Sequence, residues 1–126
     1  MNIPENLKYT KDHEWVKVDG TKAVIGITEY AQGELGDIVF VDIASDLAEI
    51  SKGDPFGTIE AVKTVSDLFA PCNGKVLEIN SKLEDSPELI NNDPYGEGWI
   101  IKIELTSSDD LNDLLDSISY QTQITA

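Results

Sequence analysis

The chain has 126 residues, with 24 aspartates and glutamates against nine lysines and no arginine, giving a formal net charge of −15. That length suits one ordinary core and is short for two domains. Such acidity disfavours nucleic acid and anionic membrane surfaces as partners, and without arginine there is no bidentate guanidinium clamp for phosphate or carboxylate. His13 and Cys72 are each the only residue of their kind, which excludes an intramolecular disulfide, a two-histidine metal site and a cysteine-based zinc site. So thin a supply of nucleophiles and ligands points to a carrier or binding module. No stretch approaches the roughly eighteen apolar residues of a membrane span. The start, Met1 to Asn6, lacks the basic and apolar regions of a secretory signal and the arginines of a transit peptide, so a cytoplasmic, bacterial-type protein is expected.

In chain order, His13 to Val18 reads as a strand, Asp19-Gly20 as a hairpin turn, and Thr21 to Ile27 as the returning strand. Thr28 is placed to N-cap a short helix through Glu29 to Gln32, stopped by Gly33 or Gly36. Ile38 to Ile43 has the apolar character of a buried strand, and Ser51 to Pro55 that of a loop. Two more strands, Phe56 to Val62 and Val65 to Ala70, follow almost without a gap, and Pro71 to Gly74 turns the chain into a strand over Lys75 to Ile79. Residues 81–98 read as loop with a turn of helix near Pro87 to Ile90. The alternation from Trp99 to Leu105 marks a last strand. A C-terminal helix is predicted over about 107–120, with Ser107 and Asp110 as a capping box and Leu111, Leu114, Leu115 and Ile118 as its apolar stripe. Trp15 and Trp99 read as core anchors, and Cys72 as a small turn residue. Short strands with glycine and proline turns argue a mainly β barrel or sandwich with a helix as cover.

The informative segment is Gly53 to Pro71. Two apolar strands flank Lys63 with almost no room for a connection, so its amine must project from an exposed reversal. A lysine at a hairpin tip is usually just solvated. Here it stands in a set: Glu60 before it, Asp67 after it, then Ala70-Pro71 and Gly74.

The stretch Glu60-Ala61-Val62-Lys63-Thr64-Val65-Ser66-Asp67 resembles the lipoyl-lysine motif of the H-proteins of the glycine cleavage system, relatives of the lipoyl and biotinyl carrier domains. Tyr9, His13-Glu14-Trp15, Gly26-Ile27-Thr28, Ala31-Gln32, Leu35-Gly36-Asp37, Leu89-Ile90-Asn91, Pro94-Tyr95 and Gly98-Trp99 match the family in order. The likeness runs from about residue 7 to 120, nearly all of one carrier domain spanning 1–126, while the tail after Tyr120 departs from the pattern. Ala61 replaces a serine often found there.

The resemblance implies a barrel-sandwich hybrid of the lipoyl/biotinyl-carrier kind, with lipoate in amide linkage to Lys63 and no catalytic role for the chain itself. It implies four partners: glycine decarboxylase, a tetrahydrofolate-dependent aminomethyltransferase, dihydrolipoyl dehydrogenase and a lipoylating enzyme. The carrier would shuttle the aminomethyl group of glycine between the first two and be reoxidised by the third. A cleft with carboxylates would hold the cationic cargo and exclude water. Glu14 and Asp67, with Asp12 behind them, are the expected docking residues. Glu60 matches the position that modifying enzymes read, or else it partners Lys63 or Thr64 across the hairpin. His13 is more simply a packed ring in a strand than a proton donor. Three rivals remain. A biotinyl carrier would flank its lysine with methionines, whereas Val62 and Thr64 stand here. A lipoyl domain of a 2-oxoacid dehydrogenase would lead into a linker and a catalytic core. A lipoyl relay to other complexes keeps the fold and changes the role.

Overall fold

The computed structural model of the chain describes residues 2–125. Among the described residues, nine strands form two antiparallel sheets. In chain order they are β1 (Lys8–Tyr9), β2 (Glu14–Asp19), β3 (Lys22–Ile27), β4 (Ile38–Asp42), β5 (Glu49–Ile50), β6 (Pro55–Ala61), β7 (Val65–Phe69), β8 (Gly74–Ile79) and β9 (Ile101–Leu105). Six of them order as β1-β2-β3-β9-β8-β5, and the other three as β4-β6-β7. The sheets enclose one core without closing into a barrel among the described residues. Val16, Ala23, Ile25, Ile101 and Ile103 of the large sheet cluster with Ile38, Phe56, Ile59, Ala61 and Leu68 of the small one.

The large sheet is covered on its other face too. Trp15 and Tyr9, opposite each other in the β1–β2 register, cluster with Leu7 and with Tyr120 from the last helix. Tyr9 and Tyr120 stack with ring centroids 4.7 Å apart. Trp15 donates its indole N–H to the Pro94 carbonyl at 2.9 Å, and its ring lies over Gly26, its partner on β3. Trp99 is half-buried beside this cluster, with Lys102 Nζ 4.5 Å above its ring.

The two hairpins and the first helix form as their residues dictate. Asp19 pairs with Lys22 around Gly20, whose φ of 63° is the left-handed value a two-residue hairpin turn requires. Thr28 caps α1 (Glu29–Leu35), its hydroxyl accepting from Ala31 N–H at 3.2 Å. Gly36 ends the helix at φ 83°, ψ −154°, a region open almost only to glycine. Two further single-turn helices, α2 (Lys82–Asp85) and α3 (Leu89–Asn92), occupy the loop-like stretch.

Three expectations need correction. The helix predicted over 107–120 is a 3-10 turn at Ser108–Leu111 followed by a separate helix, α4 (Ser117–Thr125). Residue 115 is pulled out of helical bonding by a two-way backbone pair with Tyr9, at 2.8 and 2.7 Å. The helix restarts where the Asp116 carboxylate accepts Ser119 N–H. Asp110 accepts from Asn73 N–H instead of boxing a helix, and Ile118, expected on the apolar stripe, is 74 % exposed. The strand Ile38–Asp42 is not buried: only Ile38 is, because β4 is an edge strand with an irregular register between Ile38 and Phe40. His13 precedes β2 rather than lying in it, at φ 70°.

Candidate functional site

The β6–β7 hairpin closes through Ala61 N–H donating to Thr64 O at 2.8 Å, which leaves only Val62 and Lys63 between the arms. The tip is tied down from the side by Val62 N–H donating to Asp37 O at 3.1 Å. Asp37 is itself fixed. Asn91 on α3 donates to Gly36 O and to Gln32 Oε1, and accepts from Ile38 N–H, all at 2.9 Å. One buttressed amide thus joins the end of α1, the start of β4 and the hairpin tip. Lys63 is exposed and makes no ion pair or hydrogen bond among the described residues. Its stem passes over Gly36, where the missing Cβ leaves room for Cε.

A cleft of about 120 Å³ opens beside the hairpin, lined by Asp12, His13, Glu14, Ile27, Ala31, Glu34, Leu35, Ile59, Ser66, Asp67 and Leu68. It brings together Glu14, Asp67 and Asp12, and adds Glu34 from α1, which sequence reasoning did not single out. Asp12, Glu34 and Asp67 are exposed at its rim; Glu14, 2 % exposed, is inside. The sequence carried a signal for that: Glu14 alternates in phase with Val16, on the face of β2 that turns to the core. Glu14 accepts from Thr10 Oγ1 at 2.9 Å and from Phe69 N–H of β7 at 3.3 Å. Burial pushes its carboxyl up to about 8, against the pull of these two hydrogen bonds.

Glu60 lies outside this cleft. It is exposed, and pairs with Phe40 on one side and Val65 on the other, so Thr64 is not its strand partner. Val62 and Val65, 74 % and 62 % exposed, flank Lys63 and make the tip apolar around its amine. His13 lines the cleft, its Nδ1 2.9 Å from Tyr120 Oη. Cys72 is fully buried, and burial raises its thiol to about 11, which keeps it protonated and unreactive. No group of three or more His, Cys, Asp and Glu among the described residues is placed to hold a metal ion.

Two facing antiparallel sheets, with a lysine standing clear on a tight hairpin of the smaller one, are the form of the lipoyl and biotinyl carrier proteins. The sequence narrows that class. Residues 7–126 match the family model described as Glycine cleavage H-protein. The glycine cleavage system H protein of Staphylococcus haemolyticus is 56% identical over 124 residues, covering 98% of each chain. That of Bacteroides fragilis is 53% identical over 126 residues and the whole of both chains. The crystal structure of a glycine cleavage system H protein from Mycobacterium marinum superimposes with a TM-score of 0.89 at 37% identity, over 98% of this chain and 100% of that one. The chain belongs to the glycine cleavage H-protein family. Its role is the family's, a lipoyl carrier of the glycine cleavage system, and these likenesses do not favour a lipoyl relay.

Proposed function

We propose that Lys63 is the lipoyl attachment point and that the adjoining cleft shelters the loaded arm. The observation that carries this reading is the placing of one exposed, unpaired amine at a braced tip, on the same hairpin that lends Asp67 to the cleft. The residues fit the group: Lys63 is reachable by a modifying enzyme, and the stem has a groove over Gly36. When bound, lipoate supplies the disulfide that accepts the aminomethyl group; the chain supplies reach, orientation and cover. Amide formation also removes the ammonium charge, so the arm enters apolar clefts more easily.

The aminomethyl cargo carries a cationic amine. Glu14 and Asp67, with Asp12 behind, attract it and exclude water. Glu60, exposed on the outer face of the hairpin, is read by the lipoylating enzyme. The chain acts as one non-catalytic domain serving glycine decarboxylase, the aminomethyltransferase and dihydrolipoyl dehydrogenase in turn. A net charge of −15 favours basic docking faces on those enzymes over nucleic acid or membranes. No helix among the described residues is long and apolar enough to cross a membrane. We place the protein in the cytoplasm, in keeping with its bacterial relatives. Reconstitution with glycine decarboxylase tests the reading: the lipoylated chain should support glycine–bicarbonate exchange and Lys63→Arg should not. Failure of the lipoylated wild type would favour a relay.

A further inference from the structure

His13 sits in a hydrogen-bonded chain whose direction can be deduced. Thr28 is fully buried, and its hydroxyl oxygen already accepts Ala31 N–H, capping α1. Its own hydrogen needs an acceptor, and the one in reach among the described residues is Tyr120 Oη, at 2.7 Å. Tyr120 must then spend its hydrogen on His13 Nδ1, 2.9 Å away, so that nitrogen is bare. The reverse direction, Nδ1–H to Tyr120 to Thr28, strands a buried hydroxyl hydrogen. An imidazolium, a donor at Nδ1, would leave one hydroxyl hydrogen of the Tyr120–Thr28 pair without an acceptor, whichever way that pair points.

The ring is held in other ways as well. The His13 carbonyl accepts Thr28 N–H at 3.0 Å, and its backbone keeps φ 70°. Tyr30 of α1 packs against it with centroids 4.9 Å apart. The charged and titratable groups around it are Asp12 and Glu14 beside it in sequence, Tyr30 and Glu34 on α1, Asp67 on β7 and Tyr120 on α4. Burial lowers the affinity of His13 for a proton, against the opposing pull of Asp12 and Glu34.

We propose that Tyr120 is a positioning residue: through Thr28 it holds His13 as the neutral tautomer with hydrogen on Nε2. The His13 ring in the cleft wall then carries no positive charge toward a cationic occupant. The inference rests on the cleft's role as shelter for the arm, and deepens it. It also gives α4 a task at a site to which it contributes no lining residue. An imidazolium at this position would repel the cargo that the carboxylates attract.

Because His13 is the only histidine, imidazole 15N and 13C NMR of the unmodified full chain reads it without ambiguity. The expected result is the Nε2–H tautomer, titrating below the ordinary value near 6.5. Tyr120→Phe keeps the ring stack on Tyr9 and removes the donor, and should raise the midpoint by about one pH unit and mix the tautomers. An Nδ1–H tautomer in the wild type, or a midpoint unmoved by Tyr120→Phe, would overturn the proposal. The wild-type tautomer decides even if Tyr120→Phe does not fold. In the aminomethyl-loaded protein, loss of the cargo should quicken several-fold as pH falls through the His13 midpoint, and His13→Asn should abolish that step. Persistence of the step in His13→Asn would count against a charge-free wall. Insensitivity of cargo loss to Glu14 and Asp67 substitutions would sink the docking reading while leaving the NMR result standing.

Discussion

Lys63 Cε lies where Gly36 leaves a gap: a Cβ on Gly36 would stand 3.0 Å from it. The same glycine ends α1 at a positive φ, so one position serves both the helix terminus and the root of the lysine. Gly36→Ala should cost about 1–3 kcal/mol of stability, from backbone conformation alone. It should also slow lipoylation by displacing the lysine stem. Denaturant unfolding and a timed lipoylation assay read the two effects. Normal lipoylation in a destabilised variant would show that the stem does not need the gap.

Glu14 makes stability depend on pH in a definite direction. Its carboxyl titrates near 4.5 when unfolded and at about 8 in the fold. Between those values the folded chain holds a proton that the unfolded chain has released. Stability therefore falls as pH rises from about 4.5 to about 8, by on the order of 3–5 kcal/mol from this group, then levels off. Glu14→Gln should remove that part of the slope in urea titrations run across this range. A cation docked against Glu14 favours the ionised form, so carboxyl 13C NMR should show its midpoint lower by a unit or more in the loaded protein. An equal slope in wild type and Glu14→Gln would contradict the assignment.

The carboxylates of the cleft should govern how long the cargo survives. Glu14→Ala with Asp67→Ala is expected to shorten the half-life of the aminomethyl group, followed by mass spectrometry, without blocking lipoylation of Lys63. Loss of the Glu14 carboxyl also leaves Phe69 N–H without its acceptor, at about 1–3 kcal/mol. A fold check by circular dichroism accompanies the measurement. An unchanged half-life would rule out docking by these two acids.

Gly26 should tolerate no side chain. A Cβ there would come within 2.6 Å of the Trp15 ring, which is 1 % exposed and held by its bond to Pro94. Gly26→Ala is expected to destabilise by about 1–3 kcal/mol through overpacking. The midpoint of thermal unfolding reads it. Since Lys63 lies on the other sheet, lipoylation of the folded fraction should be unaffected.

What the residues disclosed in advance follows from the range of the forces involved. The hairpin at Gly20, the Thr28 cap and the reversal at Lys63 depend on neighbours in sequence, and all three stand where local chemistry puts them. Tertiary pairing decided the rest. The two-residue strands Lys8–Tyr9 and Glu49–Ile50 are too short to show a period, and exist only because β2 and β8 pair with them. The tail looked helical over Ser107 to Tyr120 until Tyr9, about a hundred residues away, claimed the backbone of Leu115. At the candidate site, the exposed position of Lys63 was legible because an apolar strand flanks it on each side, whereas its expected role came only from the resemblance of the surrounding motifs. Glu34 was not legible: an acid on an exposed helix face looks like any other, and only the fold brings it to the cleft. The chain from Thr28 through Tyr120 to His13 spans three distant segments and leaves no local trace.

In the proposed role one amine, that of Lys63 at the tip of the β6–β7 hairpin, is the point of modification. Peptide mass mapping of the protein from its native host measures this most directly. A lipoyl increment is expected on the peptide containing Lys63 and on no other lysine. An unmodified Lys63 in lipoylating cells, a biotinyl increment there, or lipoate on a different lysine would contradict it.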